Sequence, residues 1–61
     1  MTVAETWDSE KVKELRRRLS MTQKKFAEAI GVHVVTIIRW EKGAFNPSDL
    51  ALEKLRQLAQ Q

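Results

Sequence analysis

Apolar side chains recur along this chain at helical spacing, and no stretch alternates as a strand would. Val12, Leu15 and Leu19 fall on one stripe, with Lys11, Lys13, Arg17 and Arg18 facing elsewhere. Phe26, Ala27 and Ile30 make a second stripe, Ile37 and Trp40 a third, and Ala51, Leu55 and Leu58, with Leu52 beside them, a fourth. Boundary residues bracket each stripe. The first helix is expected to start at Asp8 or Ser9. If Asp8 is the cap, Trp7 and Val12 have the positions of a hydrophobic staple. Thr22 is expected to cap the second helix. Gly31 can take the left-handed backbone that ends it. The third helix is expected over about Val34 to Lys42, stopping at Gly43. Asn46-Pro47 reads as a cap followed by proline at the first turn of a fourth helix, with Asp49 favouring its positive end. The expected fold is all-α, a compact four-helix domain spanning 7–61, preceded by a flexible N-terminus over 1–6.

The third helix has two unlike faces. With Ile37 at the centre of the inward face and about 100° per residue, Trp40 and Glu41 lie within about 60° of it. Val35, Arg39 and Lys42 land on the far side, with Thr36 and Ile38 at the flanks. A small side chain at Ala27 lets two helices cross closely, Gly31 turns the chain four residues later, and Val32 and Ile37 fill the angle between them. That is the spacing of a helix-turn-helix. The outward stripe of Val35, Ile38, Arg39 and Lys42 has two readings. A DNA major groove accepts it, since arginine can fork onto guanine O6 and N7 and an apolar side chain can meet a thymine methyl. A protein interface accepts it too, because exposed apolar patches often mark one.

Charge distribution favours the groove. The chain carries +3 overall, but residues 11–43 hold nine basic side chains against Glu14, Glu28 and Glu41. Residues 1–10 contribute only acids, Glu5, Asp8 and Glu10, and residues 44–61 balance Asp49 and Glu53 with Lys54 and Arg56. Positive charge therefore sits on the segment with the helix-turn-helix spacing, as a polyanion would require. A solvated basic face is the plainer reading of the same numbers.

Size and composition exclude several classes. With 61 residues, the chain makes one domain that buries about 60% of its unfolded surface, too little for a deep catalytic cleft. It has no cysteine, hence no disulfide framework or thiolate metal site. No apolar run is long enough to span a bilayer, and the acidic start is no signal peptide. Neither a nucleophile–base set nor a glycine-rich phosphate loop is present. The expectation is a cytoplasmic, nucleoid-associated binding module without catalytic residues, cofactor, metal or membrane partner.

Leu15-Arg16, Thr22-Gln23, Phe26-Ala27, Gly31-Val32, Thr36-Ile37, Arg39-Trp40-Glu41-Lys42-Gly43 and Asn46-Pro47-Ser48 together resemble the phage repressor/Cro-type (XRE-like) helix-turn-helix family over roughly residues 11–58. The resemblance implies a repressor-type DNA-binding domain, four-helix here and five-helix-like in wider plan, whose third helix enters the major groove. It implies that Gln23 contacts phosphate and braces the reading helix. His33, Val34, Val35 and Arg39 take base- and backbone-contacting positions, and the loop from Lys42 to Asn46 grips phosphate. With Thr36 at the flank, the expected DNA-binding set is Gln23, His33, Val34, Val35, Thr36, Arg39, Lys42 and Asn46. It also points to Arg16 as the partner that Glu41 needs on the inward face, a structural salt bridge. Two departures stand out. His33 occupies a position where the family often has serine or threonine, and Val34 and Val35 replace polar readers, leaving methyl contacts and shape. In length and tryptophans the chain is similar to short antitoxin-like members, so a toxin-like protein partner is the alternative to a transcriptional repressor.

The remaining conspicuous residues have plain roles. Trp40 is expected in the core, Trp7 as a staple or lid, and His33, the only histidine, as a helix cap or phosphate donor. Phe45 stays open among dimer contact, core filler and exposed residue. Trp7, Phe45 and Leu50 lie outside the core stripes, and exposed together they would make the apolar patch of a weak homodimer that tightens on double-stranded DNA.

Overall fold

Asp8 decides where the first helix begins: its Oδ1 accepts the Lys11 backbone N–H at 2.9 Å, answering one of the donors that a helix start leaves orphaned. The computed structural model describes residues 7–60. Four helices, α1 (Ser9–Arg18), α2 (Gln23–Ile30), α3 (Val34–Lys42) and α4 (Asp49–Ala59), carry them, and there is no strand among the described residues. The expected floppy segment 1–6 lies outside them.

Caps repeat the same chemistry down the chain. Thr22 Oγ1 accepts from Lys25 N at 3.1 Å and Ser48 Oγ from Ala51 N at 3.3 Å. The fourth cap departs from the expected Asn46-Pro47 start. Ser48 takes the extended cap backbone, α4 begins at Asp49, and Pro47 stands outside the helix. A serine hydroxyl one residue before Asp49 reaches the orphan N–H groups, and the acidic Asp49 then sits in the first turn. The third cap departs differently: His33 has the extended cap backbone but its imidazole makes no capping bond.

Helix exits use the left-handed backbone three times. Gly31 has φ 90° after α2 and Gly43 φ 80° after α3, and Ser20, after α1, has φ 56°. Each turn closes with hydrogen bonds back onto the last helical carbonyls. Ser20 N donates to Arg17 O and Met21 N to Arg16 O; Gly31 N and Val32 N both donate to Ala27 O; Gly43 N donates to Trp40 O and Ala44 N to Arg39 O. The glycines do this without the Cβ penalty, whereas Ser20 carries it.

The core gathers one face from every helix. Val12, Phe26, Ile37 and Leu55 are its largest fully buried side chains, joined by Trp7, Leu15, Ala27, Ile30, Trp40 and Ala51. Leu19, Val32, Val34, Leu52, Leu58 and others pack against its edge. Trp7 therefore departs from the exposed patch expected with Phe45 and Leu50: it is buried, with Lys11 Nζ 4.6 Å from its ring centroid. The staple position beside Val12 explains this, because a tryptophan just outside the cap closes the core end that water would otherwise reach. At the opposite end of α1, Arg18 Nη2 donates to Ala59 O at 2.7 Å, tying α1 to the last turn of α4.

The left-handed turns generate paired predictions. A Cβ at Gly31 would meet nothing within 4 Å, so Gly31→Ala should cost its backbone strain less the reduced freedom of the unfolded chain, a net loss of about 0.5–1 kcal/mol. Ser20→Gly should move the other way and stabilise by about 0.5–1 kcal/mol, the strain relieved less the extra freedom of an unfolded glycine. Urea melts of the two variants check both signs.

Candidate nucleic-acid interface

The inward face of α3 holds a carboxylate in an apolar setting. Glu41 is buried beside Ile37 and Trp40, and a charge so placed must be answered by partners. Arg16 answers it in the bidentate manner a guanidinium allows: Nε donates to Oε2 at 2.6 Å and Nη2 to Oε1 at 3.0 Å. Gln23 Nε2, at the start of α2, donates to the same Oε1 at 3.2 Å. Arg16 spends a further donor on the Met21 carbonyl, 3.1 Å away in the α1–α2 connection. One cluster of polar atoms thus joins α1, the first connection, α2 and α3.

The electrostatics follow from that geometry. Burial pushes the Glu41 carboxyl up. The hydrogen bonds from Arg16 and Gln23, with the charges of Arg16 and Lys13, outweigh it and hold the group below the usual carboxylate range. Arg16 is shifted up, mainly by its hydrogen bond to Glu41 and against its own burial.

With one face of α3 anchored, the other is presented outward. Val35 is 49% exposed, Arg39 and Lys42 are exposed, and Thr36 and Ile38 are half-buried at the flanks. Val34 is half-buried and packs against the core, so the two adjacent valines have different surroundings. His33 is exposed at the start of α3, and Asn46 in the connection to α4. Gln23 is half-buried and turned to Glu41. Val35, Arg39 and Lys42 therefore share the exposed face, His33 and Asn46 lie near its two ends, and Val34 and Gln23 are partly withdrawn.

The sequence carries no signal for the Arg16–Met21 and Arg18–Ala59 bonds or for the position of Phe45. The Phe45 side chain is 59% exposed and its ring centroid lies 5.6 Å from Arg39 Cζ.

A helix-turn-helix family model matches residues 12–60. The chain is 47% identical over 45 residues to the Type II methyltransferase M.SsoII of Shigella sonnei, covering 69% of this chain and 12% of that protein. It is 45% identical over 38 residues to an uncharacterized HTH-type transcriptional regulator of Archaeoglobus fulgidus. A protein of the same description from Methanothermobacter thermautotrophicus is 46% identical over 37 residues. Those two matches cover 62% and 61% of this chain, and the chain spans 54% of the length of each regulator. No solved structure matches the chain.

Breaking the buried cluster should be costly. Arg16→Ala should destabilise the fold by about 3–5 kcal/mol, because it strands the buried Glu41 charge, and Glu41→Ala should cost less, because Arg16 is only partly buried. The double variant should lose less than the sum of the singles. Small additive losses would mean that the pair contributes nothing beyond two surface charges. The depressed Glu41 pKa gives a direction with pH. Its stabilisation is fully present above the unfolded carboxyl value of about 4.3 and is lost as pH falls through the lower folded value. Melts from pH 6 to pH 2 should show that acid loss in the wild type and a reduced one in Glu41→Gln.

Proposed function

The chain belongs to the helix-turn-helix family, of the XRE-like kind, and from that premise we propose that it is a sequence-specific double-stranded DNA-binding transcriptional regulator, a repressor that reads the major groove with α3. The observation that carries this is the outward face of α3, where exposed Val35, Arg39 and Lys42 stand on a helix whose other face is locked into the core. Arg39 is the candidate guanine reader and Val35 the candidate thymine-methyl contact. His33, Thr36 and Val34 complete the expected reading edge. Phosphate contacts from the start of α2 at Gln23, and from Lys42 to Asn46, would set the register. The action of such a regulator lies in the cytoplasm, at the nucleoid. The methyltransferase match covers 12% of that enzyme, and no methyl transfer is proposed.

A domain this small covers one half-site, so the reading includes a weak homodimer on a near-palindromic operator. Leu50, 71% exposed, is the apolar residue that supports it, and Trp7, withdrawn into the core, no longer does. The second reading, an antitoxin-like module that docks a protein partner, draws on the same exposed Val35 and Leu50. Salt separates the two. Counterion release makes DNA affinity fall steeply with ionic strength, whereas an apolar protein contact holds.

Selection of random duplexes by the purified protein tests the central reading: an enriched motif with approximate two-fold symmetry is expected, and no enrichment would reject it. On the enriched duplex, Arg39→Ala should cost about 1–3 kcal/mol and relax the preference at one base pair. Equal losses on every duplex would reassign Arg39 to phosphate. Sedimentation should find a largely monomeric free protein and a two-to-one complex on the symmetric site. A one-to-one complex at high protein concentration would reject the dimer.

A further inference from the structure

Arg39 has a long side chain on an exposed helix face, and its carbonyl and its guanidinium are engaged by the same turn. The carbonyl accepts the Ala44 N–H at 3.0 Å. One residue later Phe45 brings its ring centroid to 5.6 Å from Cζ, within reach of a cation–π contact. The turn that makes this possible is set by Gly43 at φ 80°. On the other side of Phe45 the connection is restrained by Pro47, which disfavours helical backbone at Asn46, and by the Ser48 cap. The backbone that carries the ring is thus restrained on both sides of Phe45. Among the described residues the Arg39 guanidinium makes no hydrogen bond or ion pair, and the Phe45 ring lies beside it.

We infer that Phe45 is a specificity-positioning residue, whose ring holds the Arg39 guanidinium ready to read a guanine while leaving its N–H donors free. This rests on the proposed reading of Arg39 as a base contact. A flexible arginine must lose rotamer freedom to form a two-pronged bond to one base. A ring that restricts it beforehand reduces that loss on the duplex where the fork fits and does nothing for a duplex where it does not. Phe45 then acts on discrimination through Arg39 and requires no contact of its own with the bases.

The test uses the intact chain and the duplex enriched by selection. In the free protein, the Arg39 side-chain protons should show upfield ring-current shifts in the NMR spectrum, and Phe45→Leu should abolish them. Binding should then show that Phe45→Leu lowers discrimination at the base pair read by Arg39 by about two- to fivefold, the worth of an exposed cation–π contact. Phe45→Trp should keep discrimination, and in an Arg39→Ala background Phe45→Leu should change nothing. Phe45 is exposed, so an unchanged melting curve for the leucine variant is the accompanying control. Absent ring-current shifts would overturn the inference. So would an equal loss on all duplexes that persists without Arg39, because the ring would then touch DNA itself. Ring-current shifts alongside an Arg39→Ala variant with unaltered base preference would overturn the underlying reading of Arg39, and the positioning role with it.

Discussion

A carboxylate in an apolar core persists only while its oxygens are answered, and that requirement at Glu41 ties the first three helices into one arrangement. Arg16 must approach edge-on to give both oxygens a donor, which orients α1 against α3. Gln23 must reach the same oxygen from the first turn of α2, which sets where α2 begins relative to α3. Met21 lies between them and takes a further donor from Arg16. Hydrophobic contacts among Val12, Phe26 and Ile37 supply a larger driving force, but they are tolerant of small rotations. Hydrogen bonds to an ionised pair are not tolerant, so the polar cluster selects one orientation of α3 among those the apolar core would accept.

That orientation matters because the outer face of α3 has little hydrogen-bonding vocabulary. Val35 offers a methyl surface, Thr36 and Ile38 are half-buried, and only Arg39 and Lys42 at the exposed positions carry donors in the side chain. On the proposed reading, such a face discriminates by where it sits, since a methyl contact displaced along a groove meets a different base edge. A reading head with many polar side chains could adjust each one separately. This one depends on the helix being held in place, by Glu41 from beneath and by the turn after Gly43 at its end.

The parts of the fold legible in the sequence are those set by local rules that act alone. The α3 bounds follow from the inward Ile37 and Trp40 and the glycine that ends the helix, and Thr22 and Asp8 announce their helices because each precedes an amphipathic run. The start of α4 is ambiguous in the sequence because Asn46-Pro47 and Ser48-Asp49 are two cap chemistries standing close together, and here Pro47 precedes the cap. Ser20 was invisible for a different reason. Its left-handed backbone is imposed by the turn from α1 to α2, where Met21 N must reach Arg16 O, and no side-chain preference of serine signals it. Trp7 was ambiguous because its position next to a cap fits both a staple and an exposed anchor. Which one it becomes depends on the space left beside α1, a property of the assembled core.

Phe45 illustrates the same limit at the candidate site. As an aromatic residue in a polar connection it has no helical partner to define its face, so spacing alone left it open among core, interface and solvent. Its place is decided by the handedness of one residue, Gly43: a left-handed turn sends the chain back over the last turn of α3, whereas a right-handed continuation would carry Phe45 away along the helix axis. The glycine that reads as a simple stop therefore also determines which side chain can accompany Arg39. A Cβ at Gly43 would sit 4.0 Å from Ser9 Oγ, an ordinary contact, so space does not demand glycine there. Backbone conformation does, and through it the end of α3 and the surroundings of Arg39 are coupled.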